Sequence, residues 1–404
     1  MKRYETYKDS GIEWLGEIPE HWKVCRTKNI VSLINERAID PALKKVALEN
    51  IESGTGKYLE TDSEYVGEGI SFHKDDILFG KLRPYLAKVY KAEFEGQSVG
   101  DIYVFRGKEG TNPDFLNYMF ISDLFISIVD GSTYGAKMPR ANWDFISNLK
   151  IAIPCLEEQT QIAYYLDYTV GKIDSLISAK EKQVEDLQKY RSSIIYEAVT
   201  RGIHPEVKFK DSGIGWISMI PSHWDTYKLK YLVNLQSGTN LTAEQIQRDG
   251  LYPVYGGNGL RGYYNDFSND GLFILIGRQG ALCGNINYAN GKFWATEHAV
   301  VCYPKKDFVA KWLGELLRAM NLNQYSESAA QPGLSVERIK QLIIPIPPFP
   351  EQQEIADYLD EKTSKIDATI KELKTQIEDL QQYKKSVINE AVTGKVDLRD
   401  WKPK

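Results

Sequence analysis

Arginine, lysine, glutamine and asparagine gather with tyrosine, glycine and proline in five short stretches: Lys81-Leu-Arg-Pro-Tyr85, Lys137-Met-Pro-Arg-Ala-Asn142, Tyr255-Gly-Gly-Asn-Gly-Leu-Arg261, Arg278-Gln-Gly280 and Gln331-Pro-Gly-Leu-Ser335. The chemistry such sets can do is non-covalent. Arginine and lysine match the paired acceptors of guanine and asparagine or glutamine those of adenine, while glycine lets the backbone come close to phosphate. The candidate contact residues are Lys81, Arg83, Tyr85, Lys137, Arg140, Tyr255, Asn258, Arg261, Arg278, Gln279 and Gln331. An ordinary solvated loop is the alternative for each stretch.

Sets that could do covalent chemistry are incomplete. Pro347-Pro-Phe349 resembles the Asn-Pro-Pro-Phe/Tyr segment of adenine methyltransferases, but Ile346 stands where the hydrogen-bonding Asn or Asp must be. Strand-to-helix punctuation explains it better. Ser53-Gly-Thr-Gly-Lys57 lacks the spacing of a phosphate-binding loop and is followed by Tyr58, so it is expected to be a turn. Gly256-Gly-Asn-Gly259 lacks the acidic partner of a dinucleotide site. Cys25, Cys155, Cys283 and Cys302 stand far apart without the spacing of metal ligands, and are expected to be buried thiols. The His-Trp pairs at 21 and 223 are expected to pack rather than catalyse. No metal site, cofactor site or catalytic set is assigned to this chain.

What must position the contact residues is a duplicated frame. Lys8-Asp-Ser-Gly-Ile-Glu-Trp-Leu-Gly-Glu-Ile-Pro-Glu-His-Trp22 returns at 210–224 with ten identities in fifteen positions, and 153–200 returns as 346–393 with 25 in 48. The bodies between, 23–135 and 225–328, show little likeness. Runs such as Leu272-Phe-Ile-Leu-Ile-Gly277 and Ile102-Tyr-Val-Phe105 predict short strands. Asn142 and Ser335 predict N-caps of short helices, each with an acidic residue in the first turn.

The repeated 153–200 and 346–393 blocks predict helices roughly 65 Å long. Steps of four and three pick out Leu166, Ile173, Ile177 and Leu187 in the first and Leu359, Ile366, Ile370 and Leu380 in the second. Both are heptad seams, and a lone helix of this length would expose its apolar stripe, so the two are expected to pair. Two copies of one unit burying the same seam imply a pseudo-two-fold and therefore an antiparallel coiled coil. The chain end, Ala391 to Trp401, resembles the exit of the first helix and stops near where Lys8 begins, which makes the chain almost circular. The expected fold is α+β: heads at 1–155 and 206–348, a long helix at 156–205, and a second long helix with a C-terminal tail at 349–404.

Apolar residues make up 42% and charged residues 26% of the 404-residue chain, a globular balance that excludes disordered and membrane classes. Met1 to Ser10 lacks the apolar core of a signal peptide, so a cytoplasmic location is expected. The net charge of −5 is unusual for a DNA binder, although the second head is itself positive.

The opening pattern Lys-Asp-Ser-Gly-Ile-x-Trp-[Leu/Ile]-x3-Ile-Pro-x-His-Trp at 8 and 210, and the closing pattern Ile-Pro-x3-Glu-Gln-x2-Ile-Ala-x-Tyr-Leu-Asp at 153 and 346, resemble those of type I restriction-modification specificity (S) subunits. The likeness covers essentially the whole chain. It implies two target-recognition domains, each reading one half of a split double-stranded DNA target, with the helices setting the unread gap. It also implies two methyltransferase (M) subunits carrying S-adenosylmethionine, and restriction/translocase (R) subunits using ATP and Mg, docked on a chain that is not itself an enzyme. A self-contained adenine methyltransferase and a coiled-coil scaffold that does not bind DNA are the alternatives.

Overall fold

A computed structural model describes the chain except residues 1, 41, 62–64, 66, 134–137, 281, 327–332 and 404. It divides into two compact units, Met1–Glu181 with Lys374–Lys404, and Lys182–Leu373. The helices Leu156–Arg201 and Phe349–Val392 each contribute to both.

In the first unit a four-stranded antiparallel sheet runs in the order Val31–Ile34, Ile102–Gly107, Ile77–Gly80, Val89–Lys91. Side chains alternate across a strand, so Ile77 and Phe79 face one side and Leu78 the other, and all three are fully buried. One side packs on the helices Pro113–Ile121 and Asp123–Gly131 through Phe105, Phe115 and Phe120. The other packs on a three-stranded layer through Val46, Phe72 and Val104. A strand covered on both faces must be apolar throughout, hence Ile77-Leu-Phe.

The second unit repeats the plan. Val233–Ser237, Ala299–Pro304, Phe273–Gly277 and Ile286–Ala289 form a sheet with the same 1-4-2-3 order. Ile274 and Ile276 face the helix Ala310–Ala319, while Leu275 and Val301 face Phe293 of a second β layer. The dissimilar bodies thus share a topology that their sequences conceal.

The repeated segments hold each head closed. The strand after the His-Trp pair aligns antiparallel with the strand before the long helix: Lys23–Arg26 with Lys150–Ile153, and Asp225–Lys228 with Ile343–Ile346. Pro347 and Pro348 then separate the latter strand from the helix Phe349–Val392, as the punctuation reading expects.

Within the first unit, Leu166 and Val170 pack with Val387, Ile388 and Ala391. As the first helix advances from Asp174 to Lys180, its polar contacts retreat from Lys384 (2.8 Å) to Gln376 (2.6 Å). Within the second unit, Ile194 and Ala198 pack with Ile355, Leu359, Ile366 and Ile370, and Arg191 forms a two-point ion pair with Asp367 at 2.9 and 3.2 Å. Ile173 and Ile177 are buried; Leu187 and Leu380 are half-buried.

Candidate nucleic-acid interface

Each head is fixed to its long helix by a glutamate in that helix's first turn. Glu158 takes His21 Nε2 on Oε2 at 2.8 Å, Trp22 Nε1 on Oε1 at 3.1 Å and the Tyr4 hydroxyl on Oε1 at 2.5 Å. Glu351 takes His223 Nε2 and Trp224 Nε1 on Oε2 at 2.8 and 3.0 Å. Both tryptophans are fully buried. The neighbouring glutamine does the same for the head's own helices: Gln159 Oε1 accepts from Asn112 N at 2.9 Å, and Gln352 Oε1 from Val309 N at 3.0 Å. The opening and closing patterns are therefore two sides of one clasp. An acidic residue at a helix start is ordinarily explained by the helix dipole, which is why sequence reading missed the contact.

The candidate contact residues of the first head meet where the strand Ile77–Gly80 ends. Arg83 N donates to Pro139 O at 2.8 Å and Ala141 N to Lys81 O at 2.7 Å, so the 81–85 and 139–142 stretches are stitched together. Arg83 and Ala87 lie in the left-handed region, at φ 52° and 47°, on either side of the turn Pro84–Leu86. That turn presents Tyr85, which is exposed. Arg140 and Lys81 both approach Asp101: Arg140 Nε and Nη2 bind its two oxygens at 3.2 and 3.0 Å, and Lys81 Nζ is 3.7 Å away. Asn142 caps the helix Trp143–Asn148 as expected, accepting from Asp144 N. Lys137 lies outside the described residues.

In the second head Asn258, Arg261 and Gln279 line one cleft of about 560 Å³ with Gly257, Gly280, His298 and Gly333. Arg278 stands beside it, its Nη1 on Ser237 Oγ at 3.2 Å. Tyr255 instead turns its ring against Phe293, centroids 5.7 Å apart, and joins the second-layer core. Gln331 lies outside the described residues, and Ser335 occupies the N-cap position without a side-chain capping bond. His298 had no signal in the sequence, because its place is set by sheet pairing rather than by neighbours along the chain.

Glycine is required at the cleft for close approach. A Cβ on Gly277 would sit 2.2 Å from Gly257 O, and one on Gly256 would sit 2.4 Å from Arg261 Cδ. The Gly277 contact is with backbone, which cannot swing aside. Gly277→Ala is therefore expected to cost about 1–3 kcal/mol and to lower the melting temperature by roughly 2–10 °C. An unchanged melting curve would show that the turn has more room than this geometry gives it.

The weaker motifs resolve as local structure. Ser53–Lys57 closes a turn through Glu52 N to Lys57 O at 2.9 Å. The expectation of four buried thiols is corrected: Cys283 and Cys302 are buried, Cys25 is half-buried and Cys155 is exposed at the start of the first long helix. Burial alone pushes the Cys302 thiol far above its ordinary range. Among the described residues no group of three or more His, Cys, Asp or Glu is placed to hold a metal, and no helix is long and apolar enough to cross a membrane.

A mixed helix-and-sheet protein with two heads of one plan, each with polar and basic loops at one end of its central sheet, is the class these observations define. Residues 19–186 and 221–379 match the type I restriction modification DNA specificity domain, and the chain belongs to that family. It is 43% identical over 133 residues to the type I restriction enzyme EcoprrI specificity subunit of Escherichia coli, a match spanning 32% of this chain and about a third (33%) of that protein. To the MjaVIII specificity subunit of Methanocaldococcus jannaschii it is 24% identical across 98% of both chains. In fold it is similar to a chain solved in work on complex assembly and conformational transition of the type I R-M system, with TM-score 0.74, 18% identity and coverage of 94% of this chain and 99% of that one. It is also similar to the HsdS subunit of Thermoanaerobacter tengcongensis, with TM-score 0.51, 19% identity and coverage of 94% and 98%.

Proposed function

We propose that this chain is the non-catalytic DNA-reading subunit of a type I restriction-modification complex, each head reading one half of a bipartite duplex target. The observation that carries the proposal is a fixed frame built twice, with the same clasp and sheet order, around loops whose side chains differ. A reader that must change its target without changing its partners needs such a construction, and recognition belongs on loops held by rigid elements. Lys81, Arg83, Tyr85, Lys137 and Arg140 serve the first half-site. Asn258, Arg261, Arg278, Gln279 and Gln331 serve the second, Tyr255 being taken up by the second-layer core.

The domain division is 1–155 and 206–348 for recognition, 156–205 for the first long helix and 349–404 for the second with its C-terminal tail; the two helices form an antiparallel coiled coil with an approximate two-fold. Support comes from the ion pairs: Asp174 with Lys384 and Asp367 with Arg191 are the same pair one repeat of 193 residues apart, each within its own unit. The coiled coil sets the unread gap and, with the heads, carries two methyltransferase subunits and the restriction/translocase subunits in the cytoplasm. S-adenosylmethionine, ATP and Mg act in those partners.

The test is to express the chain with its methyltransferase subunit in a host free of DNA methylation and to map N6-methyladenine across the genome. A two-part motif with an undefined centre, absent when this chain is omitted, is the expected result. An intact complex that leaves no methylated motif would overturn the proposal.

A further inference from the structure

The bodies of the two heads differ in sequence, yet their contact loops hang on the same backbone bonds. In the first, Gly80 N donates to Lys88 O, Lys81 N to Asp101 O and Ala141 N to Lys81 O, at 2.8, 2.9 and 2.7 Å. In the second, Gly277 N donates to Asn285 O, Arg278 N to His298 O and Leu334 N to Arg278 O, at 2.8, 2.9 and 2.9 Å. The isolated bridges Leu82 with Arg140 and Gln279 with Gly333 fall at the same step. Matching bond to bond makes Lys81 equivalent to Arg278, Asp101 to His298 and Arg140 to Gly333. The N-cap residues Asn142 and Ser335 come out equivalent as well, an independent check on the register.

What stands at these equivalent places is chemically different. In the first head Asp101, 23% exposed, holds Arg140 through Nε and Nη2, which uses one edge of the guanidinium. The Arg140 side chain is 53% exposed, and its outer N–H groups on Nη1 and Nη2 point away from that carboxylate. A planar end-on fork of two donors matches O6 and N7 of guanine in the major groove, and no other base offers two acceptors there. A mobile arginine satisfies any phosphate equally well. One whose plane is fixed and whose charge is shared with a carboxylate is directional, and so carries sequence information that a phosphate contact does not. In the second head His298 and Gly333 supply neither carboxylate nor guanidinium, and the place is part of the open cleft.

We propose that Arg140 reads a guanine in the half-site of the first head, with Asp101 as the positioning residue that makes the contact base-selective. The second head, with His298 and Gly333 at the equivalent places, reads its half with other groups. This inference rests on the DNA-reading function proposed above.

The experiment selects bound duplexes from a library randomised in both half-sites, using the full chain in complex with its methyltransferase subunit. Variants are Arg140→Ala, Arg140→Lys, Asp101→Asn and the double Asp101→Asn/Arg140→Ala, each with a melting curve. The native complex is expected to select an invariant guanine at one position of one half-site. Arg140→Ala and the charge-retaining Arg140→Lys each lower preference for that guanine by about 5- to 150-fold, leaving the other half-site unchanged. Asp101→Asn relaxes the same position alone and adds nothing once Arg140 is alanine, the signature of action through that arginine. The proposal is overturned by a half-site without guanine, by full guanine preference in Arg140→Lys, or by an Asp101→Asn loss spread evenly over all positions. If the native complex selects no sequence at all, the DNA-reading function itself is overturned, an outcome distinct from each of these.

Discussion

Glu158→Ala is expected to destabilise the first unit by about 2–5 kcal/mol and lower its melting temperature by roughly 5–15 °C. The carboxylate is the shared acceptor for the Tyr4 hydroxyl, the Trp22 indole and the His21 imidazole. Tyr4 and Trp22 are buried, so their donors find no water when the acceptor goes; His21 is 44% exposed at its side chain and can be rehydrated. Two stranded buried donors set the size of the effect. Glu351→Ala is expected to cost less, because among the described residues Glu351 binds only His223 and Trp224, and its Oε1 has no hydrogen-bond partner. Calorimetry on the complex compares the two. Equal losses would show that the Tyr4 bond adds nothing to the clasp, and a Glu158→Ala transition within a degree of the native one would show that the clasp does not hold the head to its helix.

The hydroxyl of Tyr4 shows the same asymmetry from the other side. Burial, then the hydrogen bond to Glu158, drives its pKa far above the ordinary phenol range, so it remains a neutral donor at any working pH. The tail that follows the second long helix completes this environment. Lys395 Nζ donates to Leu15 O and Glu17 O, Asp397 N donates to Lys2 O, and Trp401 lies edge-on against Tyr165 with centroids 5.0 Å apart. The return of the chain end to its beginning was legible from the likeness of 391–393 to 198–200; the part played by Lys395 and Trp401 was not, since those two residues belong to neither repeated pattern.

The same division runs through the molecule. What repeats or alternates along the chain was legible: the two long helices, the strands around Ile102 and Phe273, the cap at Asn142. What depends on pairing between distant strands was not. Asp101 becomes the partner of Arg140 only because the strand it precedes lies beside the strand Ile77–Gly80, and His298 takes the matching place by the same route. Tyr255 was misread for a local reason. Gly256-Gly257 marks a turn, but Tyr255 still belongs to the strand Tyr252–Gly256, whose alternation carries its ring toward the second-layer core. Glycine signalled where the chain bends, and the side chain just before the bend obeyed the sheet.

Adding one heptad after Val184 and one at the matching Ile377 is expected to lengthen the unread centre of the DNA target by about three base pairs while both half-sites keep their sequences. Seven residues preserve the face that buries the seam and add ~10 Å of helix, and ~10 Å is about three steps of duplex at roughly 3.4 Å each. Binding to the original target should fall by at least about 30-fold, since only one half-site can then be engaged at a time. Three added base pairs also turn the duplex by about 100°, so the second half-site is met from a new direction. The lengthened protein is therefore expected to hold its lengthened target less tightly than the native pair. Insertions of four residues at the same places are the contrasting case, because they rotate each downstream seam off its partner and should cost the complex its stability rather than shift its target. A methylated motif with an unchanged gap in the heptad variant would sink the ruler and leave the partner subunits to set the spacing.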